Sequence, residues 1–250
     1  MSLHVFCFSP AGSTRRVAEA AAAAWGGQPV WHDLGRTAVR AGMKVQPQDE
    51  CIIAVPCFSG RVPPVIAERI ASLRGNGART LTMVTFGNRG YEDSLLELTD
   101  LASAAGFQAA GAAAIVARHS LAPRIASGRP SAGDLSAVAE FARRARASRG
   151  STVRPEGHRP YRPYSRLGCA PVSGAGCTSC KICADACPTG AIRRSAGAPA
   201  DISKCMGCMS CLQVCPRQSR SLPQEFQRQI AARLAQTAAG RARSAFFLAE

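Results

Sequence analysis

Eight cysteines near the C-terminal end have spacings suited to iron–sulfur chemistry. Cys177, Cys180, Cys183 and Cys187 follow the pattern C-x2-C-x2-C-x3-C and precede Pro188. Cys205, Cys208, Cys211 and Cys215 repeat it 28 residues later and precede Pro216. Three thiolates at x2 spacing reach three irons of one cubane from a tight loop. The fourth, turned away by its proline, ligates the other of two clusters. Cys177, Cys180, Cys183 and Cys215 are therefore expected to hold one [4Fe–4S] cluster. Cys187, Cys205, Cys208 and Cys211 are expected to hold the second. Such clusters move electrons singly, so the chain is expected to be a redox protein.

The spacing is that of a bacterial-type ferredoxin. A zinc ribbon has no need of the third x2-spaced cysteine or of the fourth before proline. A disulfide framework would need an oxidising compartment. The repeats differ after the ligands. The first continues Pro188-Thr189-Gly190-Ala191-Ile192, whereas the second continues Pro216-Arg217-Gln218-Ser219-Arg220, without the glycine or the apolar pair. This departure is expected to alter the following strand and not the ligand set.

The elements that position this unit take up the rest of a chain of 250 residues, 46% of them hydrophobic, which leaves enough for a second buried core. The formal charge of +15 suggests nucleic acid at first sight. Lysine is confined to Lys44, Lys181 and Lys204, however, and the arginine excess is spread along the chain. Each cubane with its four thiolates would add about two negative charges that the formal count omits. No nucleic-acid partner is expected; the positive surface suits an acidic redox protein. No apolar run reaches the 18 residues of a membrane span. Ser13 to Val17 followed by Ala20 to Ala24 only superficially resembles a twin-arginine signal, because a strand-like run precedes it and Glu19 interrupts it. A cytoplasmic location, where thiolates stay reduced, is expected.

Residues 1–150 alternate strand and helix signals, which predicts an α/β fold. Strands are expected at Leu3 to Phe8, Pro29 to Leu34, Cys51 to Val55, Thr80 to Phe86 and Ala112 to Ala117. Helices are expected at Thr14 to Trp25, Pro63 to Leu73, Glu92 to Ala105 and Asp134 to Arg149, the last with Asp134 as N-cap. The prediction is a flavodoxin-like, doubly wound, five-stranded parallel sheet plus a small α+β ferredoxin-like domain. The boundaries are 1–150, a proline-rich linker at 151–167 with Tyr161 and Tyr164 available to pin it, the cluster unit at 168–222, and a C-terminal helix and tail at 223–250. Ile192 and Ile202 are expected to pair in a hairpin. Phe226, Ile230 and Leu234 form a stripe on a helix from Pro223 to Ala239, expected to pack on the chain's own body.

A second site is expected at the C-terminal strand ends. The loop Ser9-Pro10-Ala11-Gly12-Ser13-Thr14 brings hydroxyls and backbone N–H groups to a helix N-terminus, which suits a phosphate. No Gly-Lys-Ser/Thr follows and no G-x-G-x-x-G occurs, which excludes a Walker loop and argues against a Rossmann site. In a flavodoxin-like sheet FMN lies at the switch point between strands 1 and 3. The candidate FMN residues are Ser9, Ala11, Gly12, Ser13 and Thr14 in the first loop. Pro56, Cys57, Phe58, Ser59, Gly60 and Arg61 follow the third strand. Phe86, Gly87, Asn88, Arg89 and Tyr91 follow the fourth.

The chain resembles the flavodoxin–ferredoxin fusion family of iron–sulfur flavoproteins. The resemblance rests on Phe8 to Thr14, Val55-Pro56 with Gly60 to Pro64, Gly87-Asn88-Arg89 with Tyr91-Glu92-Asp93, Arg118-His119-Ser120, Ser127 to Pro130, the proline strap and the double cysteine motif. It covers nearly the whole chain in order. It implies FMN in residues 1–150 and two [4Fe–4S] clusters behind it. Ala11 stands where a threonine is common, so one hydroxyl contact to the phosphate is missing.

Among the remaining residues, Cys7 and Cys51 fall on strands and read as core. Cys57 reads as a small buried hydrophobe, and Cys169, outside the ligand scheme, as a free thiol. His119 is a weak candidate proton donor, set against an ordinary histidine bonded to a loop carbonyl. Arg61 and Arg89 are either counterions for an anionic flavin or substrate, or solvated arginines. The leading function is electron transfer between the clusters and FMN, to or from a protein redox partner. One alternative is a flavin-dependent reductase of a small molecule fed by its own clusters. Another is a ferredoxin module on a flavin-free docking domain.

Overall fold

The computed structural model describes residues 1–36, 42–195, 197, 199–238, 240 and 242–250. In chain order the N-terminal elements are β1 (Leu3–Cys7), α1 (Ser13–Trp25), β2 (Pro29–Asp33), β3 (Glu50–Pro56), α2 (Pro64–Ala71), β4 (Arg79–Phe86), α3 (Ser94–Ala104), β5 (Gln108–Val116) and α4 (Ala132–Ala147). The C-terminal elements are β6 (Val172–Ser173), α5 (Ile182–Asp185), α6 (Ser210–Gln213), β7 (Arg220–Ser221), α7 (Gln224–Thr237) and β8 (Ala245–Leu248).

The main sheet runs β2-β1-β3-β4-β5-β8. Its first five strands are parallel, in the flavodoxin-like order 2-1-3-4-5. Both faces are covered, so the central strands are continuous apolar runs. Ile53 and Val84 pack on one side with Ile66, Ile70 and Leu98 from α2 and α3. Ile52 and Met83 pack on the other with Val17 and Trp25 of α1 and Val138 of α4. Cys7 and Cys51 lie fully inside, and burial pushes both thiols up to about 12.

A sixth strand lies outside the predicted five: β8, antiparallel on β5, closes the sheet edge. Its four residues gave too short a pattern to stand out from a tail. The small side chains of β5 make the close packing possible. A Cβ on Gly111 would come within 2.9 Å of the Phe141 ring and 3.3 Å of the Phe247 carbonyl. β5 also starts earlier than expected, at Gln108.

Two further expectations are corrected. Helix α4 is capped by Ser131, with Asp134 at the third helical position. The Ser131 hydroxyl accepts from the Asp134 N–H at 3.2 Å, and the Asp134 carboxylate accepts from the Ser131 N–H at 2.6 Å. This reciprocal box satisfies two donors that a lone Asp cap would leave open. In the cysteine-bearing segment Ile192 bridges Ala200, and Ile202 is exposed, so the expected isoleucine pair does not meet. The C-terminal helix runs to Thr237; Ala239, its expected last residue, lies outside the described residues.

The proline-rich strap is pinned by two carboxylates of α3 and its entry. Buried Asp93 accepts the backbone N–H groups of His158 at 2.9 Å and Arg162 at 2.8 Å. Asp100 takes the guanidinium of Arg159 at 2.8 and 2.6 Å and also the Tyr161 hydroxyl. Burial alone would raise the Asp93 pKa, yet the two strap N–H bonds overcome it and hold the carboxyl below its ordinary value. Its stabilising contribution is therefore complete above the ordinary carboxylate range and is lost as pH falls through the depressed value. Asp93→Ala, which strands two strap donors, should lose about 1–3 kcal/mol in urea unfolding at pH 7. The gap to wild type should narrow below about pH 4. A gap independent of pH would contradict the role of the carboxylate.

Candidate functional site

The two cysteine loops repeat each other in backbone as well as in sequence. Ser179 and Gly207, each just before the second cysteine of its run, have φ 58° and 71°; Lys181 and Met209, each just after it, have φ 66° and 63°. These left-handed turns wrap each loop into a bowl and lead into the single-turn helices α5 and α6. After each fourth cysteine the fold repeats again. The Ala191 N–H donates to Cys187 Sγ at 3.2 Å, and the Ser219 N–H donates to Cys215 Sγ at 3.3 Å. Gln218 adopts the positive φ of its counterpart Gly190, 50° against 63°, so the missing glycine leaves the turn intact.

Cys177, Cys180, Cys183 and Cys215 line one cavity together, the grouping expected for the first cluster. Cys208 and Cys211 each lie within electrostatic reach of Cys187 and Cys205, the grouping expected for the second. Among the described residues, no three His, Cys, Asp or Glu side chains converge on a single ion. A cubane asks for something different, four thiolates spread around a cage.

The loops differ in burial. Cys180, Lys181 and Ile182 of the first are exposed, whereas Met206, Gly207, Cys208 and Met209 of the second are buried. Met206 and Cys208 join the same apolar core as Phe6, Phe8 and Phe86 of the α/β unit. Gly207 is needed here for a second reason: its missing Cβ would sit 3.0 Å from the Leu167 side chain of the strap. The first loop has the half-buried Ser179 at the same place.

Met206, Gly207 and Cys208 also form one wall of a cavity of about 370 Å³ at the C-terminal ends of the parallel strands. Ala11, Ser13 and Thr14 of the first loop line the cavity, as do Pro56 at the end of β3 with Cys57, Phe58 and Ser59 after it, and Phe86 at the end of β4 with Gly87 and Arg89 after it. Arg118 and His119 follow β5 into it. Its volume and its mixed apolar and polar lining suit an organic cofactor.

Six of the sixteen candidate FMN residues lie outside this lining, and four of these have identifiable work elsewhere. Ser9 Oγ accepts the Arg15 N–H at 2.8 Å, which caps α1. Arg61 forks onto Glu97 at 2.7 Å on both nitrogens and stacks its guanidinium 5.0 Å from the Tyr161 ring, a structural use of the charge. Asn88 donates to the carbonyls of Ala238 and Gly240 at 2.9 and 2.7 Å and latches the C-terminal segment. Tyr91 donates to Glu156 at 2.9 Å on the strap. Gly12 supplies the left-handed turn into α1 at φ 86°, and Gly60 packs under Glu92 and Arg162. Cys57 is held by burial and by the Tyr91 carbonyl, 3.6 Å away, and its thiol is pushed up. Cys169 lies within electrostatic reach of Cys205, and burial pushes its thiol up.

Sequence reasoning missed the wall opposite the sheet. Tyr164, Arg166 and Leu167 of the strap and Ile230, Arg233 and Leu234 of α7 complete the cavity. The stripe on α7 was the available signal: its Ile230 and Leu234 face the chain's own cavity, whereas Phe226 lies outside the lining. Thr14 is also less free than its position suggests, since its hydroxyl bonds Thr85 Oγ1 at 2.7 Å inside the protein.

His119 packs over Gly87, where a Cβ would meet its ring at 2.5 Å. Nδ1 accepts from the Leu121 N–H at 3.2 Å, which leaves the proton of the neutral ring on Nε2. The partner is an N–H and not the loop carbonyl that sequence reasoning favoured. Burial first, and the Arg89 charge second, lower its pKa to about 4.

Residues 176–219 match the family model of the 4Fe-4S dicluster domain. No curated protein matches the chain at a significant level. Among solved structures, a flavodoxin of Streptococcus pneumonia TIGR4 is similar at 16% identity and TM-score 0.41, over 59% of this chain and 99% of that one. Two-electron reduced Megasphaera elsdenii flavodoxin is similar at 14% identity and TM-score 0.37, over 58% and 99%. An azoreductase from Bacillus anthracis str. Sterne is similar at 9% identity and TM-score 0.40, over 57% and 99%. The strand order and the cysteine motif, rather than these scores, carry the assignment. The two parts fit a fusion of a flavodoxin-like fold with a ferredoxin-type 4Fe-4S domain. Among the described residues no helix is long and apolar enough to cross a membrane.

The His119 environment generates a direct test. The ring should titrate by NMR with a midpoint of about 4 and stay neutral at pH 7. Because the unfolded ring protonates near 6.5, its contribution to stability is complete above that value and falls away between about 6.5 and 4. Arg89→Ala should raise the midpoint. A wild-type midpoint near 6.5 would contradict the burial of the ring.

Proposed function

We propose that the chain is an electron-transfer iron–sulfur flavoprotein that relays single electrons between two [4Fe–4S] clusters and FMN, to or from a protein redox partner. The observation that carries this reading is Cys208, which belongs both to the second cysteine loop and to the wall of the large cavity. Clusters supply one-electron exchange, and a bound flavin supplies both one- and two-electron exchange. The proposed domains are 1–150 for the flavin, 151–167 for the strap, 168–222 for the clusters and 223–250 for the closing helix and strand.

The proposed ligands are Cys177, Cys180, Cys183 and Cys215 for an outer cluster and Cys187, Cys205, Cys208 and Cys211 for an inner one. The outer set lies under exposed residues, which gives a partner access; Cys208 of the inner set lies in the wall of the proposed flavin cavity. Lys181, Arg193 and Arg217 ring the outer cavity and suit an acidic partner.

The cavity residues fit FMN. The N-terminus of α1, with Ser13 and the left-handed Gly12, would hold the phosphate largely through backbone N–H groups and the helix dipole. This accommodates Ala11, since the hydroxyl of Ser9 already accepts the Arg15 N–H and that of Thr14 already bonds Thr85. Phe58, Phe86 and Tyr164 provide apolar surface for the ring. The reductase alternative is weakened by His119, which is neutral at pH 7 and so is a poor proton donor.

Protein purified without oxygen should carry about eight irons, eight acid-labile sulfides and one FMN per chain. Cys215→Ser should disturb the outer cluster, and Cys187→Ser the inner one, read as loss of one of two EPR signals. Gly87→Ala, whose Cβ would clash with the His119 ring in the cavity wall, should lower FMN retention on desalting at least tenfold and leave iron unchanged. Iron without flavin would contradict the relay and favour the docking-domain alternative; zinc would contradict the whole reading.

A further inference from the structure

The repeat of the two cysteine loops breaks at one buried position. Five residues after Cys187 stands Ile192, 6% exposed, and five residues after Cys215 stands Arg220, also 6% exposed. Arg220 lies on β7, paired with Ser173 of β6, and its side chain turns back toward the cysteines. Its Nε–H donates to Cys183 Sγ at 3.2 Å, and Nη1–H donates to the Pro171 carbonyl at 3.4 Å. It lines the same cavity as Cys177, Cys180, Cys183 and Cys215. Its charge also reaches Cys211 of the other set.

A guanidinium keeps its charge throughout the physiological pH range, and a buried charge is costly unless an opposite charge accompanies it. Four thiolates around an iron–sulfur cube provide one. Hydrogen bonds to cluster sulfurs and local charge are the means by which proteins set cluster potentials. A neutral isoleucine at the matching place in the first repeat provides the internal contrast.

We propose that Arg220 is a redox-tuning residue that raises the reduction potential of the outer cluster through its fixed charge and its hydrogen bond to Cys183. The inference rests on the two-cluster reading above. In the step concerned, one electron passes from a low-potential protein donor to the outer cluster. No covalent bond forms or breaks, and the guanidinium keeps all its protons. The added negative charge is stabilised by a cation already in place, with no reorganisation. The inner cluster, which takes Cys187 from the repeat with Ile192 at this place, is tuned less, so the asymmetry between the two repeats becomes an asymmetry of potential.

The test uses anaerobically purified wild type, Arg220→Ile and Arg220→Lys, each assayed for iron and sulfide and then titrated potentiometrically with EPR detection. With iron content equal, Arg220→Ile should lower the outer-cluster midpoint. The reduced-to-oxidised ratio at the wild-type midpoint should fall at least tenfold, which is 59 mV for one electron. The inner cluster should move less, and Arg220→Lys should fall between wild type and Arg220→Ile. An iron-replete Arg220→Ile with an unmoved outer midpoint, or with both clusters moved equally, would overturn the proposal. If Arg220→Ile does not retain iron, wild type labelled with guanidino-15N arginine decides. ENDOR of the reduced outer cluster should show a coupled guanidino nitrogen bearing an exchangeable proton, and its absence would overturn the proposal. A wild type without iron would defeat the cluster reading itself, and the tuning with it, before any titration.

Discussion

Burial of the second cysteine loop against the end of the parallel sheet is the contact on which the rest of the structure depends. Met206 and Cys208 are packed into the apolar core that also holds Phe6 and Phe86, so this loop is part of the wall of the sheet-end cavity and not a tethered appendage. Cys208 is thereby fixed in the wall of a space large enough for an organic cofactor. The first loop, related by an internal repeat, is left facing outward. Two nearly equivalent sequences acquire different surroundings because only one of them has the α/β unit as its neighbour.

The parts that enforce this contact are polar as much as apolar. Asp93 and Asp100 hold the strap by its N–H groups and side chains, and the strap in turn places Leu167 over Gly207. Asn88 clasps the segment after α7, and β8 adds that segment to the sheet. The chain thus returns to the sheet twice after leaving it, once through the strap and once through its last strand. This explains how a segment with few apolar residues of its own is held against the end of the sheet.

Much of this was legible in the residues. The cysteine spacing predicts its own grouping, because the x2 intervals and the trailing prolines leave little geometric freedom, and the structure gathers Cys177, Cys180, Cys183 and Cys215 around one cavity. The five parallel strands were legible because a sheet buried on both faces needs unbroken apolar runs, as in Cys51 to Val55. Less legible were features decided by contacts remote in sequence. Arg61 and Asn88 look like cofactor ligands in a glycine-rich loop, yet Glu97 and the C-terminal segment claim them. The strand β8 depends on a partner, β5, more than a hundred residues away. Asp134 has the chemistry of a cap, and only the position of Ser131 assigns it the reciprocal role. The change from Ile192 to Arg220 was visible in the sequence, but its meaning required the geometry that points the guanidinium at Cys183.

The central claim is that two interlocked iron cubes lie in line with the sheet-end cavity. The most direct measurement is an oxygen-protected crystal structure of the holoprotein with anomalous scattering recorded at the iron edge. The account predicts two iron peaks with crossed fourth ligands, the inner one bounded by Cys187, Cys205, Cys208 and Cys211 next to flavin density in the cavity. A single peak, an anomalous edge belonging to zinc, or flavin density away from the Cys208 wall would contradict it.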